Sequence, residues 1–133
     1  MVDDRGVPRP VALRRPDRQV AFRLGISADR RAAAYLVAQG FRILARRWRS
    51  PVGEIDIIAC RRALLIFVEV KARASFDDAA WSVTDRQRSR IAAAAEAWLS
   101  HQGNHPFRDM RFDAVLVAPG RIPRHLPGAF DAG

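Results

Sequence analysis

One lysine stands among twenty-two arginines in this chain of 133 residues. It is Lys71, in the run Phe67-Val68-Glu69-Val70-Lys71, and the run Gly53-Glu54-Ile55-Asp56 precedes it. Arginine already supplies bulk charge, solubility and grip on phosphate. A lone lysine two residues after a glutamate is therefore a candidate for work that arginine does badly. Lysine is a compact point charge whose pKa can be moved, whereas a guanidinium is a planar fork that stays protonated. Carboxylates accompany it. Two carboxylates a few ångströms apart raise one another's pKa, and burying both without compensation is costly. A divalent cation resolves the conflict. Hard oxygen ligands suit Mg²⁺ or Mn²⁺, and Mg²⁺ typically takes one or two carboxylates together with waters and substrate phosphate. Beside such an ion, Lys71 could orient or deprotonate a water, or neutralise charge building on phosphorus. The plain alternative is a set of cross-strand surface ion pairs worth ~0.2–1 kcal/mol each. Glu-x-Lys alone is common; Asp56 followed thirteen residues later by Glu69-x-Lys71, both within apolar segments, is more specific.

The elements that must position these groups follow from periodicity. Ser27 is placed to cap a helix running to about Gln39, with Gly40 at its C-terminal stop. Phe41 to Trp48, Glu54 to Cys60 and Leu64 to Lys71 read as three strands, the last rich in β-branched and aromatic residues. Thr84-Asp85-Arg86-Gln87 has the form of a capping box opening a second helix to about Ser100, with Ile91, Ala94, Ala95, Trp98 and Leu99 as its apolar stripe. Met110 to Val117 is a last strand. The order α-β-β-β-α-β gives an α/β domain with a mixed central sheet, because the last strand follows a helical crossover and can lie parallel to its neighbour. Alternation along a strand puts Glu54 and Asp56 on one face and Glu69 and Lys71 on one face. A tight turn at Arg62-Ala63 sets Asp56 opposite Glu69 and Glu54 opposite Lys71, although that turn lacks Asn-Gly or Asp-Gly chemistry.

The remaining composition narrows the partner. A net charge of +9 and a pI of about 11.5 point to a polyanion, nucleic acid or an anionic surface. The longest apolar run, Ala63 to Val68, is far too short to span a membrane. A single cysteine, Cys60, makes no internal disulfide and fits a reducing cytoplasm. Residues 1–24 carry three prolines and six arginines and read as a flexible basic arm; 25–119 read as the folded domain, and 120–133, with two glycines and two prolines near their start, as an irregular tail.

With these residues in place, the core from Gly25 to Pro119 resembles the PD-(D/E)XK nuclease superfamily, whose fold is restriction-endonuclease-like. It is most similar to the YraN family, predicted nucleases related to archaeal Holliday-junction resolvases. The resemblance is carried by Gly40-Phe41-Arg42-Ile43-Leu44, by Gly53-Glu54-Ile55-Asp56-Ile57-Ile58-Ala59, by Phe67-Val68-Glu69-Val70-Lys71-Ala72-Arg73 and by Arg111-Phe112-Asp113. It implies an endonuclease that uses Mg²⁺ or Mn²⁺ to cut structured or branched DNA. In that reading Asp56 and Glu69 bind the metal, the Val70 carbonyl is a further ligand candidate, and Lys71 is catalytic. Relatives usually carry a glutamate in the first helix. Here the position is Asp29, one methylene shorter, which fits water-mediated contact with the metal and equally fits a favourable charge in a helix first turn.

Other residues take supporting places. Glu54 is a candidate partner for the metal ligands or for Lys71, and Gln87 a candidate to approach the site as well as to cap its helix. Arg42, Arg46, Arg47, Arg49 and Arg73 bracket the site in sequence and could grip phosphates, which positions a duplex without reading its sequence. Arg86, Arg88 and Arg90 oppose a helix dipole, an unfavourable placement that raises the odds of anion binding there. Trp81 is the tryptophan to consider for stacking on bases. A two-fold dimer would suit cutting two strands. The rival to catalysis is a nucleic-acid-binding module of the same fold with little or no activity, a reading that the shortened Asp29 favours.

Overall fold

The computed structural model describes residues 28–76 and 83–131. The basic arm, Ser27 and Trp81 lie outside the described residues. Helix α1 occupies residues 28–38. It is followed by β1 (Arg42–Ser50), β2 (Gly53–Arg61), β3 (Leu64–Ala72), α2 (Asp85–Ser100), β4 (Asp109–Val117) and β5 (Arg124–Leu126). The five strands form one sheet in the order β1-β2-β3-β4-β5. Pairing is antiparallel except between β3 and β4, which run parallel. The α2 crossover makes that parallel pair possible, as a hairpin cannot. The protein is thus α/β with a mixed sheet and the expected α-β-β-β-α-β core. No helix among the described residues is long and apolar enough to cross a membrane.

Each helix forms because one stripe of it has a face of the sheet to cover. Ala28, Ala32 and Leu36 recur at helical spacing on α1 and pack against Ile57, Ala59, Ile66, Val68, Val115 and Val117. The helix stops where Gly40 adopts φ +95°, with Phe41 N–H donating to Leu36 O and Gly40 N–H to Val37 O, the paired bonds of a Schellman ending. Ile91, Ala94, Ala95 and Trp98 of α2 cover Ile55, Ile58, Cys60, Leu65 and Phe67 on the other face. Strands β2 and β3 are therefore apolar on both faces, which is why their sequences read as continuous hydrophobic runs. The capping box of α2 is formed in both directions: Gln87 N–H donates to Thr84 Oγ1, and Thr84 N–H donates to Gln87 Oε1.

The β2–β3 register is the one set by a two-residue turn at Arg62-Ala63, running from Arg61–Leu64 to Ile57–Val68. Arg62 takes the left-handed conformation itself, at φ +57°, in place of a glycine. Within 120–133, the described residues 120–131 depart from the irregular tail expected. Arg124–Leu126 pairs with β4, and Phe130 packs on Phe112. The reason lies upstream. Asp113, wholly buried, accepts hydrogen bonds from Arg111 Nε and Nη2, from His125 Nε2 and from Gly128 N–H, all at 2.7–2.9 Å. Three strand residues would not hold by themselves; a carboxylate that needs donors holds them.

Gly53 sets how closely α2 approaches the β1–β2 turn. A Cβ there would lie 2.5 Å from the Arg90 carbonyl oxygen. Gly53→Ala must push turn and helix apart, at a cost of ~1–3 kcal/mol. A melting temperature lowered by about 4–20 °C, read by circular dichroism, is the expected result.

Candidate active site

The chemistry-bearing side chains gather where the β2–β3 ladder ends. Its last pair is Ile57–Val68, so Asp56 and Glu69 stand just beyond it. There a side chain takes over from the backbone: Val70 N–H donates to Asp56 Oδ2 at 2.8 Å. Glu69 Oε2 lies 3.4 Å from Lys71 Nζ, and Lys71 is only 9% exposed. Glu54, Asp56 and Glu69 line one wall of an open cavity, and Gln87, Arg90 and Ile91 of α2 line the other.

A distortion of β1 aims Asp56. Arg46 pairs with Ile57 and Trp48 with Ile55, so Arg47 stands across from Asp56, and Arg47 has φ +52°. As a consequence Ile55 packs with α2 while Ile57 packs with α1. Residues two apart on a regular strand would share a face. Strict alternation is therefore broken between Ile55 and Ile57, while Glu54 and Asp56 still line one cavity, as expected. Glu54 also does not meet Lys71. It pairs with Arg49, its cross-strand neighbour, at 3.2 Å, which leaves Glu69 as the partner of Lys71.

The electrostatics follow from this crowding. Asp56 has its pKa raised to about 8, first by burial, then by the charge of Glu69, with Asp29 adding to it; the Val70 N–H opposes the shift. Asp29 is raised too, by burial, against the pull of Arg47 and Arg46. Its carboxylate lies 3.7 Å from Arg47 Nε. A folded-state pKa above the unfolded value means that the Asp56 contribution to stability is fully present below about pH 4 and is lost as pH rises toward 8. Asp56→Asn keeps an acceptor for Val70 N–H and removes the charge. Its melting temperature should match wild type near pH 4 and exceed it by several degrees at pH 8–9. Equal melting curves at both pH values would refute the assignment of strain to Asp56.

These groups fit a hard divalent cation by their donor chemistry. Two half-buried carboxyls in repulsion, with the pKa of Asp56 raised to about 8, are what Mg²⁺ or Mn²⁺ would relieve. They do not make a full cage: among the described residues, no group of three or more His, Cys, Asp or Glu side chains is placed to hold a metal ion. Asp29 acts on Asp56 through charge while paired with Arg47. What Val70 contributes to the contacts is its N–H. A carboxylate pair completed by waters and phosphate is the coordination Mg²⁺ commonly uses.

The supporting residues divide. Gln87 serves both as cap and as cavity wall. Arg46, Arg47 and Arg49 lie beside the acids as their counter-charges. Arg42 is opposite Cys60, at the far end of the strand from the carboxylates. Arg73 N–H donates to Val117 O and its Nη1 to Ala72 O, tying the end of β3 to β4. Arg90 is the wall residue that strand spacing could not locate. Its signal was a basic side chain three residues after Gln87, hence on the same helix face.

Comparison with known proteins agrees with the sequence motifs. The profile described as Uncharacterised protein family UPF0102 matches residues 28–117. A UPF0102 protein of Rhodopseudomonas palustris is 66% identical over 117 residues, covering 88% of this chain and 91% of its own. One of Nitrobacter winogradskyi is 64% identical over 115 residues, covering 86% and 98%. One of a Bradyrhizobium species is 58% identical over 127 residues, covering 96% and 90%. The matched span holds both helices, strands β1 to β4 and every residue of the acidic cavity, so the chain belongs to the uncharacterised protein family UPF0102, the group to which the YraN resemblance pointed.

Proposed function

We propose that this protein is a Mg²⁺-dependent endonuclease that hydrolyses phosphodiester bonds in structured or branched DNA. The observation that supports this most is the arrangement at the end of the β2–β3 ladder. Asp56 is held by Val70 N–H at 2.8 Å, beside the pair of Glu69 with the buried Lys71 at 3.4 Å, in a cavity whose opposite wall carries Arg90. Acid, acid and buried ammonium in one open site serve phosphoryl chemistry better than they serve stability, because crowded, half-buried carboxyls repel one another.

In this reading Asp56 and Glu69 hold the ion, which when bound supplies a Lewis acid and a more acidic water. Asp29 and Glu54 add negative potential that favours the cation. Glu69 fixes the Lys71 ammonium beside the reacting phosphate, where it offsets developing negative charge. Arg90 and the amide of Gln87 offer N–H donors to phosphate oxygens from the other wall. The positive surface holds the DNA without base reading.

The test is a cleavage screen over single-stranded, duplex, flap and four-way-junction DNA with Mg²⁺ or Mn²⁺. Wild type should cut at least one structured substrate. Asp56→Asn and Glu69→Gln should each lose ~10²-fold or more in rate while remaining folded. Full metal-dependent activity in either variant would remove the carboxylates from the mechanism.

A second reading is supported by the pairing of Asp29 with Arg47 and by the two-carboxylate donor set. It is a nucleic-acid-binding module of the same fold with little or no catalysis. DNA binding without cleavage of any substrate in the screen selects it.

A further inference from the structure

One cluster of charge among the described residues is not used by this chemistry. Beyond β3, Phe76 lies against two guanidinium groups, with Arg124 Cζ 4.8 Å and Arg121 Cζ 5.0 Å from its ring centroid. Arg31 of α1 donates Nη1 to Ala118 O at 3.0 Å and Nη2 to Arg121 O, which fixes the loop carrying Arg121. Arg121 and Arg124 are exposed. Neither pairs with a carboxylate among the described residues.

Stacking on a ring orders an arginine without spending its N–H donors. Part of the entropy cost of gripping a ligand is then met before the ligand arrives. Two such forks side by side, with no acid partner among the described residues, suit a ligand with repeated oxyanions.

The sheet register ties this cluster to the acidic cavity. Lys71 pairs with Leu116 in the parallel ladder, and Leu116 pairs with Arg124 in the antiparallel one. Arg124 therefore stands in the cross-strand row of Lys71, two strand spacings away, or ~10 Å.

We propose that Arg121 and Arg124, splinted on Phe76, form a phosphate clamp that holds the DNA backbone to one side of the acidic cavity, two strand spacings from Lys71. The clamp rests on the nuclease reading for its place relative to the cut. It recognises phosphate charge and spacing and is indifferent to base sequence.

The experiment titrates labelled duplex and four-way-junction DNA with the full chain at several salt concentrations in EDTA, and follows cleavage with Mg²⁺ separately. Wild type is compared with the double variant Arg121→Gln/Arg124→Gln and with Phe76→Leu. The double variant should bind about 10-fold more weakly at the lowest salt. Its slope of log K against log salt should be shallower by about 1–2 units, at ~0.9 per phosphate released. Phe76→Leu keeps both charges, so its slope should stay while affinity falls several-fold. In cleavage, the double variant should raise KM and keep kcat within about twofold.

An unchanged slope in a double variant that melts like wild type overturns the clamp and leaves the nuclease reading standing. A fall in kcat with unchanged KM also overturns it. A chain that cuts no DNA yet shows the slope change supports the arginines as a phosphate clamp and rejects the nuclease reading. Wild-type protein that binds no DNA at any salt sinks both. If the double variant melts early, Arg124→Gln alone decides, with an expected slope change of about one unit.

Discussion

Lys71→Arg is expected to cut DNA ~10²-fold or more slowly than wild type while binding it as tightly. The substitution keeps the charge, so a purely electrostatic role in binding is preserved. What it changes is shape and proton chemistry. Lys71 Nζ reaches Glu69 Oε2 at 3.4 Å from a site only 9% exposed. A guanidinium is larger, planar and permanently protonated, so it must shift Glu69 or swing out of the row. Either displaces a carboxylate that the proposed cation requires. The measurement is single-turnover cleavage beside a binding titration in EDTA. Cleavage by Lys71→Arg at the wild-type rate would remove the meaning from the lone lysine. In a protein that uses arginine for every other side-chain cation apart from its histidines, that outcome would leave Lys71 as one more cation.

The largest effect on stability is expected from Asp113→Ala. Asp113 is fully buried and takes four hydrogen bonds, two from Arg111 and one each from His125 and Gly128. Burial alone would raise its pKa, but the bonds from His125, Arg111 and Gly128 outweigh that and the net shift is downward. A lowered folded-state pKa gives stability that is present above about pH 4 and lost as pH falls further. Wild type should therefore show an acid limb in its stability profile to which Asp113 contributes. Alanine leaves the Arg111 guanidinium, the His125 ring and the Gly128 N–H without their acceptor. Breaking a buried pair of this kind costs ~3–5 kcal/mol. At ~4–8 °C per kcal/mol for a small domain, the melting temperature should drop by roughly 12 °C or more. The C-terminal segment should loosen first, because β5 has only three residues and leans on Asp113. Hydrogen exchange at Arg124–Leu126 as slow as in wild type would show that β5 holds without it.

The two effects are separable because the groups lie on different faces of the sheet. Glu69 and Lys71 alternate with Val68 and Val70 and open toward α2. Asp113 shares a face with Val115 and Val117, which pack against α1. Asp113→Ala should therefore lower stability with little change in the rate per folded molecule.

Much of the framework was determined by the sequence alone. Ala28, Ala32 and Leu36 could bury only as a helix. Apolar runs in β2 and β3 required cover on both faces. Thr84 and Gln87 fixed the start of α2 through local hydrogen bonds, and a two-residue turn fixed the β2–β3 register. These features depend on neighbours within a few positions, or on a period, so they can be read along the chain. The choice of Asp56, Glu69 and Lys71 as the chemical groups was legible for the same reason: their spacing within apolar strands is unusual. The tertiary structure decided the rest. Arg47, in the left-handed conformation across from Asp56, stands where Ile55 and Ile57 turn to opposite faces of the sheet, while Glu54 and Asp56 still line one cavity. Gly53 admits the Arg90 backbone, and so brings a helix residue to a cavity made by strands. Asp113 recruits Arg111, His125 and Gly128 and turns an apparently irregular tail into an edge strand. Each of these depends on groups distant in sequence meeting at contact distance, where burial makes an unsatisfied charge or a sub-ångström overlap costly. No local pattern carries that information.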